Sequence, residues 1–174
     1  MKENILEKPI IKISALKQAL VIIIFISLTI AMPMIAHQYQ LAGNIFLPMH
    51  FFVLAGGLIF GKKTGFIVGG LSPVIVFALS GRPSLALIPV MTLELAAYGF
   101  WAGYFREKEL NSFTSIVLAM ILGRVVLFLT AWVFLSGNPF IFLFSALNLG
   151  MVGIFLQLAL IPFLIGLISN FRQN

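Results

Sequence analysis

The chain consists of long apolar stretches separated by short polar ones, without the close alternation of buried and wet positions that is typical of soluble domains. Stretches of about 20 apolar residues are long enough to cross a bilayer as helices. The pattern therefore predicts an all-α membrane protein with six transmembrane helices. The predicted spans cover approximately residues 14–34, 47–60, 64–79, 85–105, 112–135 and 140–168.

The ends of the early spans follow from local signals. Pro33 is predicted to end the first span, because proline interrupts helical hydrogen bonding. The comparatively polar segment Ile35 to Phe46 is predicted to form an exposed loop. The second and third spans form a helical hairpin with "GKKTG" (Gly61 to Gly65) as its turn. Each arm of this hairpin is shorter than a full span.

Small residues and a proline mark the packing of the hairpin. Gly57, Gly65 and Gly69 are positions at which neighbouring helices can approach closely. Ser72-Pro73 should loosen the second arm, since proline removes one backbone donor.

Composition agrees with a membrane protein of one domain, residues 1–174. Hydrophobic residues make up 61% of the chain and charged residues 9%, which is too apolar for a soluble domain. Six spans with short loops fill the 174 residues and leave no room for a soluble catalytic or nucleotide-binding domain. The absence of cysteine excludes disulfides and thiolate catalysis. The formal charge of +6 does not indicate nucleic-acid binding, because the cations lie where membrane topology places them.

The distribution of lysine and arginine predicts the orientation. Nine cations fall on one side of the predicted bundle and only Arg82 on the other. Cytoplasmic loops carry this excess, so both termini are predicted to be cytoplasmic. The nine are Lys2, Lys8, Lys12, Lys17, Lys62, Lys63, Arg106, Lys108 and Arg172.

Two charged residues lie inside predicted spans. Glu94 is in the middle of the fourth span and Arg124 is in the fifth. Intramembrane charges are costly and mark functional sites by default. Counted from the outer ends of their helices, the two lie within about one turn of the same depth, so they can pair. Two interpretations stay open: a purely structural ion pair, or a pair of which at least one member contacts a ligand.

Other polar and aromatic residues lie near this depth. Tyr98 follows Glu94 by one helical turn, and His50 lies at the outer end of the second helix. Trp132 and Asn148 have a similar predicted depth. Together these residues would line a polar cavity open to the outside, although each type also occurs in ordinary packing or interface positions. Gln157, which points roughly opposite to Asn148, is interpreted as structural.

Catalytic and channel functions have no support in the sequence. The chain lacks the motifs of metalloproteases, serine hydrolases and P-loop NTPases, and it has two histidines and no aspartate. It also lacks a selectivity-filter repeat and the two-halves pattern of many secondary transporters. We therefore expect no enzyme activity, no metal and no cofactor, and interpret the chain as a membrane subunit that binds a small molecule.

Three stretches of the sequence resemble a known family of membrane proteins. "LPMHFFVLAGGLIFGKKTGFIVGGLSPVIVFALSGRP", "MTLELAAYGFWAGYF" and "LGRVVLF" are similar to the substrate-binding S components of energy-coupling factor (ECF) transporters, the vitamin-capturing subunits of prokaryotes. The similarity spans roughly residues 12 to 168, and its most specific parts are the "LPMH" start and "GxxxGxxSP". It implies a multi-pass protein of the prokaryotic cytoplasmic membrane.

The resemblance also implies partners and a site. In S components an AxxxA pattern on the first helix docks the scaffold subunit EcfT, and Ala15 and Ala19 match it. Two EcfA-type ATPases on separate chains would supply the energy. The vitamin would bind near the outer face, between the first external loop, which includes Asn44, and the last three helices, which carry Glu94 and Arg124.

Arginine suits a carboxylate ligand through two parallel hydrogen bonds. Pantothenate, with an acid, an amide and two hydroxyls, is the first candidate. Niacin, a queuosine precursor and cobalamin remain open, and so does a structural or assembly subunit that transports nothing.

Overall fold

A computed structural model of the protein describes residues 10–11, 13–38 and 47–171. In these ranges the chain forms helices and no strand, which confirms the predicted all-α class. The helices are α1 (Ala15–Gln38), α2 (Pro48–Phe60), α3 (Lys62–Ser80), α4 (Ile88–Glu107), α5 (Ser112–Phe134) and α6 (Pro139–Phe171), and a short 3-10 helix, Leu85–Leu87, precedes α4.

Five of these helices are long and apolar enough to cross a membrane. The exception is α2, which is apolar but has only 13 residues. At 1.5 Å per residue its length is about 20 Å, less than the roughly 30 Å of the hydrocarbon core. The structure therefore supports five candidate spans and one short apolar helix where the sequence predicted six spans.

The prediction that Pro33 ends the first span is wrong. Helix α1 continues through Pro33 to Gln38. Proline removes only its own backbone donor, and the residues after it keep theirs, so a helix in an apolar environment can continue past it. The rest of the predicted loop, residues 39–46, lies outside the described residues, and so does Asn44.

The predicted five-residue turn between α2 and α3 is also wrong. Only Gly61 separates the two helices, with a φ of 92° that L side chains rarely adopt. The backbone N–H of Lys62 donates to Oε1 of Glu107 at 3.0 Å, so a carboxylate from α4 caps the start of α3. As a result α3 has 19 residues, long enough for a span, and it runs unbroken through Pro73.

Close backbone contacts between glycines hold the centre of the bundle together. A Cβ added to Gly65 of α3 would clash with the carbonyl oxygen of Gly99 of α4, and one added to Gly99 would clash with that of Gly65. Gly57 and Gly69 likewise meet the α4 backbone. The predicted close-packing role of these glycines is confirmed, and it makes α4 the central helix, in contact with α2, α3 and α5.

The outer helices are attached less tightly. Helix α1 packs on α2 and α3, where Gln18 donates to Thr64 at 3.0 Å and the hydroxyls of Thr29 and Ser72 lie 2.8 Å apart. Helix α6 packs mainly on α5, with sparser contacts to α2. The largest fully buried apolar side chains lie in the interior of the bundle, on α2, α4, α5 and α6: Leu54, Leu58, Leu95, Ile116 and Ile161.

Candidate functional site

The structure pairs the two intramembrane charges. Nη1 of Arg124 donates to Oε1 of Glu94 at 2.9 Å. The side chain of Glu94 is 4% exposed and that of Arg124 is 13% exposed, so both are largely withdrawn from the surface. The pair forms because α4 and α5 pack along their lengths and bring the two residues to the same level. A buried charge is tolerated only with such a partner.

His50 and Tyr98 complete the cluster around the carboxylate. Nε2 of His50 lies 3.8 Å from Oε1 of Glu94, beyond hydrogen-bonding distance, and the rings of His50 and Tyr98 meet in an edge-to-face arrangement at a centroid distance of 5.2 Å. The Tyr98 side chain also interacts electrostatically with the side chains of Glu94 and Arg124. Gly123 of α5 makes room for the Tyr98 ring, since an added Cβ would come within 2.9 Å of it.

Two polar atoms in this cluster are buried without a hydrogen-bond partner among the described residues. They are Nε2 of His50 and Nε of Arg124. Buried polar atoms in native proteins are nearly always hydrogen-bonded, so each such exception needs an explanation. Both atoms belong to groups that can donate to an acceptor on a ligand.

Helix α6 borders the cluster with Gly150 and Gln157, two residues that were not predicted to lie there. A Cβ on Gly150 would lie 2.9 Å from Cδ1 of Leu47, so the glycine leaves room for that side chain, and it would lie at an ordinary contact distance of 3.5 Å from Nη2 of Arg124. Gln157 is 2% exposed and donates from Nε2 to the carbonyl of Leu47 at 3.2 Å. The signal for these positions is their spacing, because residues seven apart lie on one face of a helix.

Among the described residues, the structure leaves Trp132, Asn148 and the two predicted docking alanines outside this cluster. Trp132 is 67% exposed and packs beside Phe128, and Asn148 is exposed on the face of α6 opposite to Gln157. Ala15 and Ala19 are exposed near the start of α1. The described cluster therefore consists of His50, Glu94, Tyr98 and Arg124, bordered by Leu47, Gly150 and Gln157.

Chemically, the cluster suits recognition rather than catalysis. It offers a guanidinium, an imidazole and a carboxylate in an apolar surrounding, where each hydrogen bond to a ligand is stronger than in water. Comparison with protein families gives the context: the family model described as "ECF transporter, substrate-specific component" matches residues 11–172. The chain belongs to this family. Comparison with curated proteins gave no match, and comparison with solved structures gave none either.

Membership confirms the resemblance noted in the sequence at the level of the family. S components are transport subunits rather than catalysts, and they capture a small-molecule substrate as part of an ECF complex with other subunits. The family and the five apolar helices together make the protein a multi-pass integral protein of the cell membrane.

Proposed function

We propose that this S component captures a water-soluble vitamin that carries a carboxylate, and that the buried pair Glu94 and Arg124 forms part of its binding site. The main support for this proposal is a set of polar side chains that lie inside an apolar bundle. Nη1 of Arg124 donates to Glu94, while Nε of Arg124 and Nε2 of His50 are buried without a hydrogen-bond partner among the described residues.

The second candidate function is a structural or assembly subunit in which Glu94 and Arg124 only join α4 to α5. The 2.9 Å contact is compatible with that role. However, a pair retained only for stability is expected to satisfy its donors, since unsatisfied buried groups are destabilising. Nε of Arg124, a donor of this pair without a partner among the described residues, therefore favours the ligand-binding role.

Pantothenate is the first candidate ligand. Its carboxylate matches the guanidinium of Arg124, and its hydroxyls and amide match a carboxylate acceptor such as Glu94. Niacin is also a vitamin acid and fits the same reasoning, whereas a queuosine precursor and cobalamin are larger alternatives. The proposed site consists of His50, Glu94, Tyr98 and Arg124, and roles for Asn44, Trp132 and Asn148 in ligand binding stay predictions.

We further propose six membrane crossings with both termini in the cytoplasm, in which α2 completes a crossing despite its length. The excess of Lys and Arg on one side of the bundle supports this orientation. The exposed positions Ala15 and Ala19 support docking of the scaffold subunit EcfT on α1, because small residues let two membrane helices approach closely. Two EcfA-type ATPases on other chains would then drive release of the vitamin into the cell.

A binding screen tests this function. The protein is purified in detergent and titrated with each water-soluble vitamin by calorimetry, alongside Arg124→Ala. The expected result is one vitamin acid that binds below micromolar to the wild type and at least about tenfold more weakly to the variant, since a charge-assisted hydrogen bond is lost. If no vitamin binds and Arg124→Ala only lowers stability, the structural role is correct instead.

A further inference from the structure

The first turn of α2 lies beside the ion pair of Glu94 and Arg124. Its N-cap residue, Leu47, accepts a hydrogen bond from Gln157 of α6. His50, in the first turn of α2, lies beside Glu94. The N-terminus of α2 is therefore at the level of the ion pair, and Glu94 lies six residues after Ile88, the first residue of α4.

A helix N-terminus carries backbone N–H groups without intrahelical acceptors and the positive end of the helix dipole. In α2 the helix's own side chains do not compensate for this. Leu47 has a left-handed φ of 47° and provides no side-chain cap, and the first turn contains no acidic residue. The positive end of α2 is thus suited to an anion, as helix N-termini commonly are.

A helix end alone does not make a site, but two side chains point to a ligand here. His50 is 7% exposed, and its Nε2 has no hydrogen-bond partner within the described chain. Its side chain belongs to the first turn, and helical side chains lean toward the N-terminus. Nε of Arg124 is buried and equally without a described partner, since only Nη1 is engaged by Glu94.

We infer that the carboxylate of the ligand binds at the N-terminus of α2, between Nε2 of His50 and the Nε edge of Arg124. The inference rests on the proposed function and specifies the chemical class of ligand, a small acid with one negative charge. Glu94 balances the charge of Arg124, so the positive end of α2 selects for the anion. Gln157 is a positioning residue, because its amide holds the carbonyl of Leu47 and with it the start of α2.

Matched pairs of acid and neutral compounds test the inference. The probes are pantothenate with its alcohol analogue panthenol, and nicotinate with nicotinamide, each titrated into the purified full-length protein. For the pair that binds, the wild type should prefer the acid at least about tenfold. The informative variant is Arg124→Lys, which keeps a cation beside Glu94 and removes the planar edge that binds a carboxylate with two hydrogen bonds.

The expected result for Arg124→Lys is a loss of about tenfold to 100-fold in affinity for the acid, with a change of less than about threefold for the neutral analogue. His50→Leu should reduce the same preference and decides the question if Arg124→Lys does not fold. The matched control is Arg82→Lys, an exposed cation outside the cluster, which should change neither affinity.

Each remaining outcome overturns the inference. If the preferred ligand is a neutral vitamin, or if both variants lose acid and neutral affinity equally, the carboxylate does not bind at this helix end, although the protein still acts as a binding subunit. If no probe and no other vitamin binds the wild type, the proposed function fails and this inference fails with it.

Discussion

Nη1 of Arg124 lies 2.9 Å from Oε1 of Glu94, inside a bundle that is almost entirely apolar. The pair joins the central helix α4 to α5. Removing a single partner leaves an uncompensated charge in the interior, whereas removing both leaves none. This asymmetry separates the contribution of the pair to stability from its contribution to binding.

The first prediction concerns that asymmetry. Glu94→Gln or Arg124→Gln alone should lower the free energy of unfolding by about 3–5 kcal/mol, because the remaining charge is buried and unpaired. The double variant should recover a large part of this loss and should still fail to bind the vitamin. Thermal unfolding in detergent measures the first effect, and titration with the vitamin measures the second. Binding by the stable double variant would show that the pair only braces the helices.

A second prediction concerns the glycine contact between α3 and α4. Gly65→Ala should destabilise the protein by about 1–3 kcal/mol or prevent folding, because the added methyl group meets the Gly99 backbone, which cannot yield as a side chain can. Gly70→Ala is the matched control. Its Cβ would meet only the Cβ of Ala96 at 3.8 Å, an ordinary contact, so the melting temperature should be unchanged or slightly higher, since alanine favours a helix interior over glycine. Equal melting temperatures for the two variants would contradict the described packing.

A third prediction concerns the cap on α3. Glu107→Ala removes the acceptor for the Lys62 backbone N–H and the partner of its side chain, which lies 2.9 Å away. The expected loss of stability is about 0.5–2 kcal/mol, mostly from the cap, since the ion pair is partly exposed and contributes little. Glu107→Gln keeps an acceptor oxygen and should lose less. If the two variants are equally destabilised, the ion pair rather than the cap contributes the stability.

The fourth prediction concerns docking. Ala15→Leu combined with Ala19→Leu should abolish co-purification with EcfT, because two larger side chains prevent close approach to α1. Vitamin binding should be unchanged, since both residues lie outside the cluster. Ala31→Leu, an exposed position elsewhere on the same helix, is the matched control and should still co-purify. Retained co-purification of the double variant would remove the docking role from these alanines.

Part of this architecture was accessible from the sequence. Counting residues from the helix ends placed Glu94 and Arg124 at the same depth, because helical rise is regular and membrane helices begin and end near known levels. The opposite orientation of Asn148 and Gln157 also followed from helical periodicity. Periodicity does not say which face enters the bundle, and the structure places Gln157 inside and Asn148 outside.

The features that could not be predicted from the sequence depend on contacts between segments that are far apart in the chain. The single-residue turn at Gly61 is stabilised by Glu107, which is 45 residues away from Lys62 in the chain. The position of Leu47 likewise depends on Gln157, which is 110 residues away. Local propensities carry no information about such partners. For this reason the turn between α2 and α3 and the depth of the α2 N-terminus appear only in the folded protein.

We propose that the cluster around Glu94 and Arg124 holds a small vitamin acid. Mass spectrometry of the compounds released from freshly purified protein tests it most directly, with Arg124→Ala purified in parallel. We expect a water-soluble carboxylic acid, near one equivalent per protein in the wild type and strongly depleted in the variant. Release of a neutral vitamin, or of the same acid in equal amounts from both proteins, would contradict it.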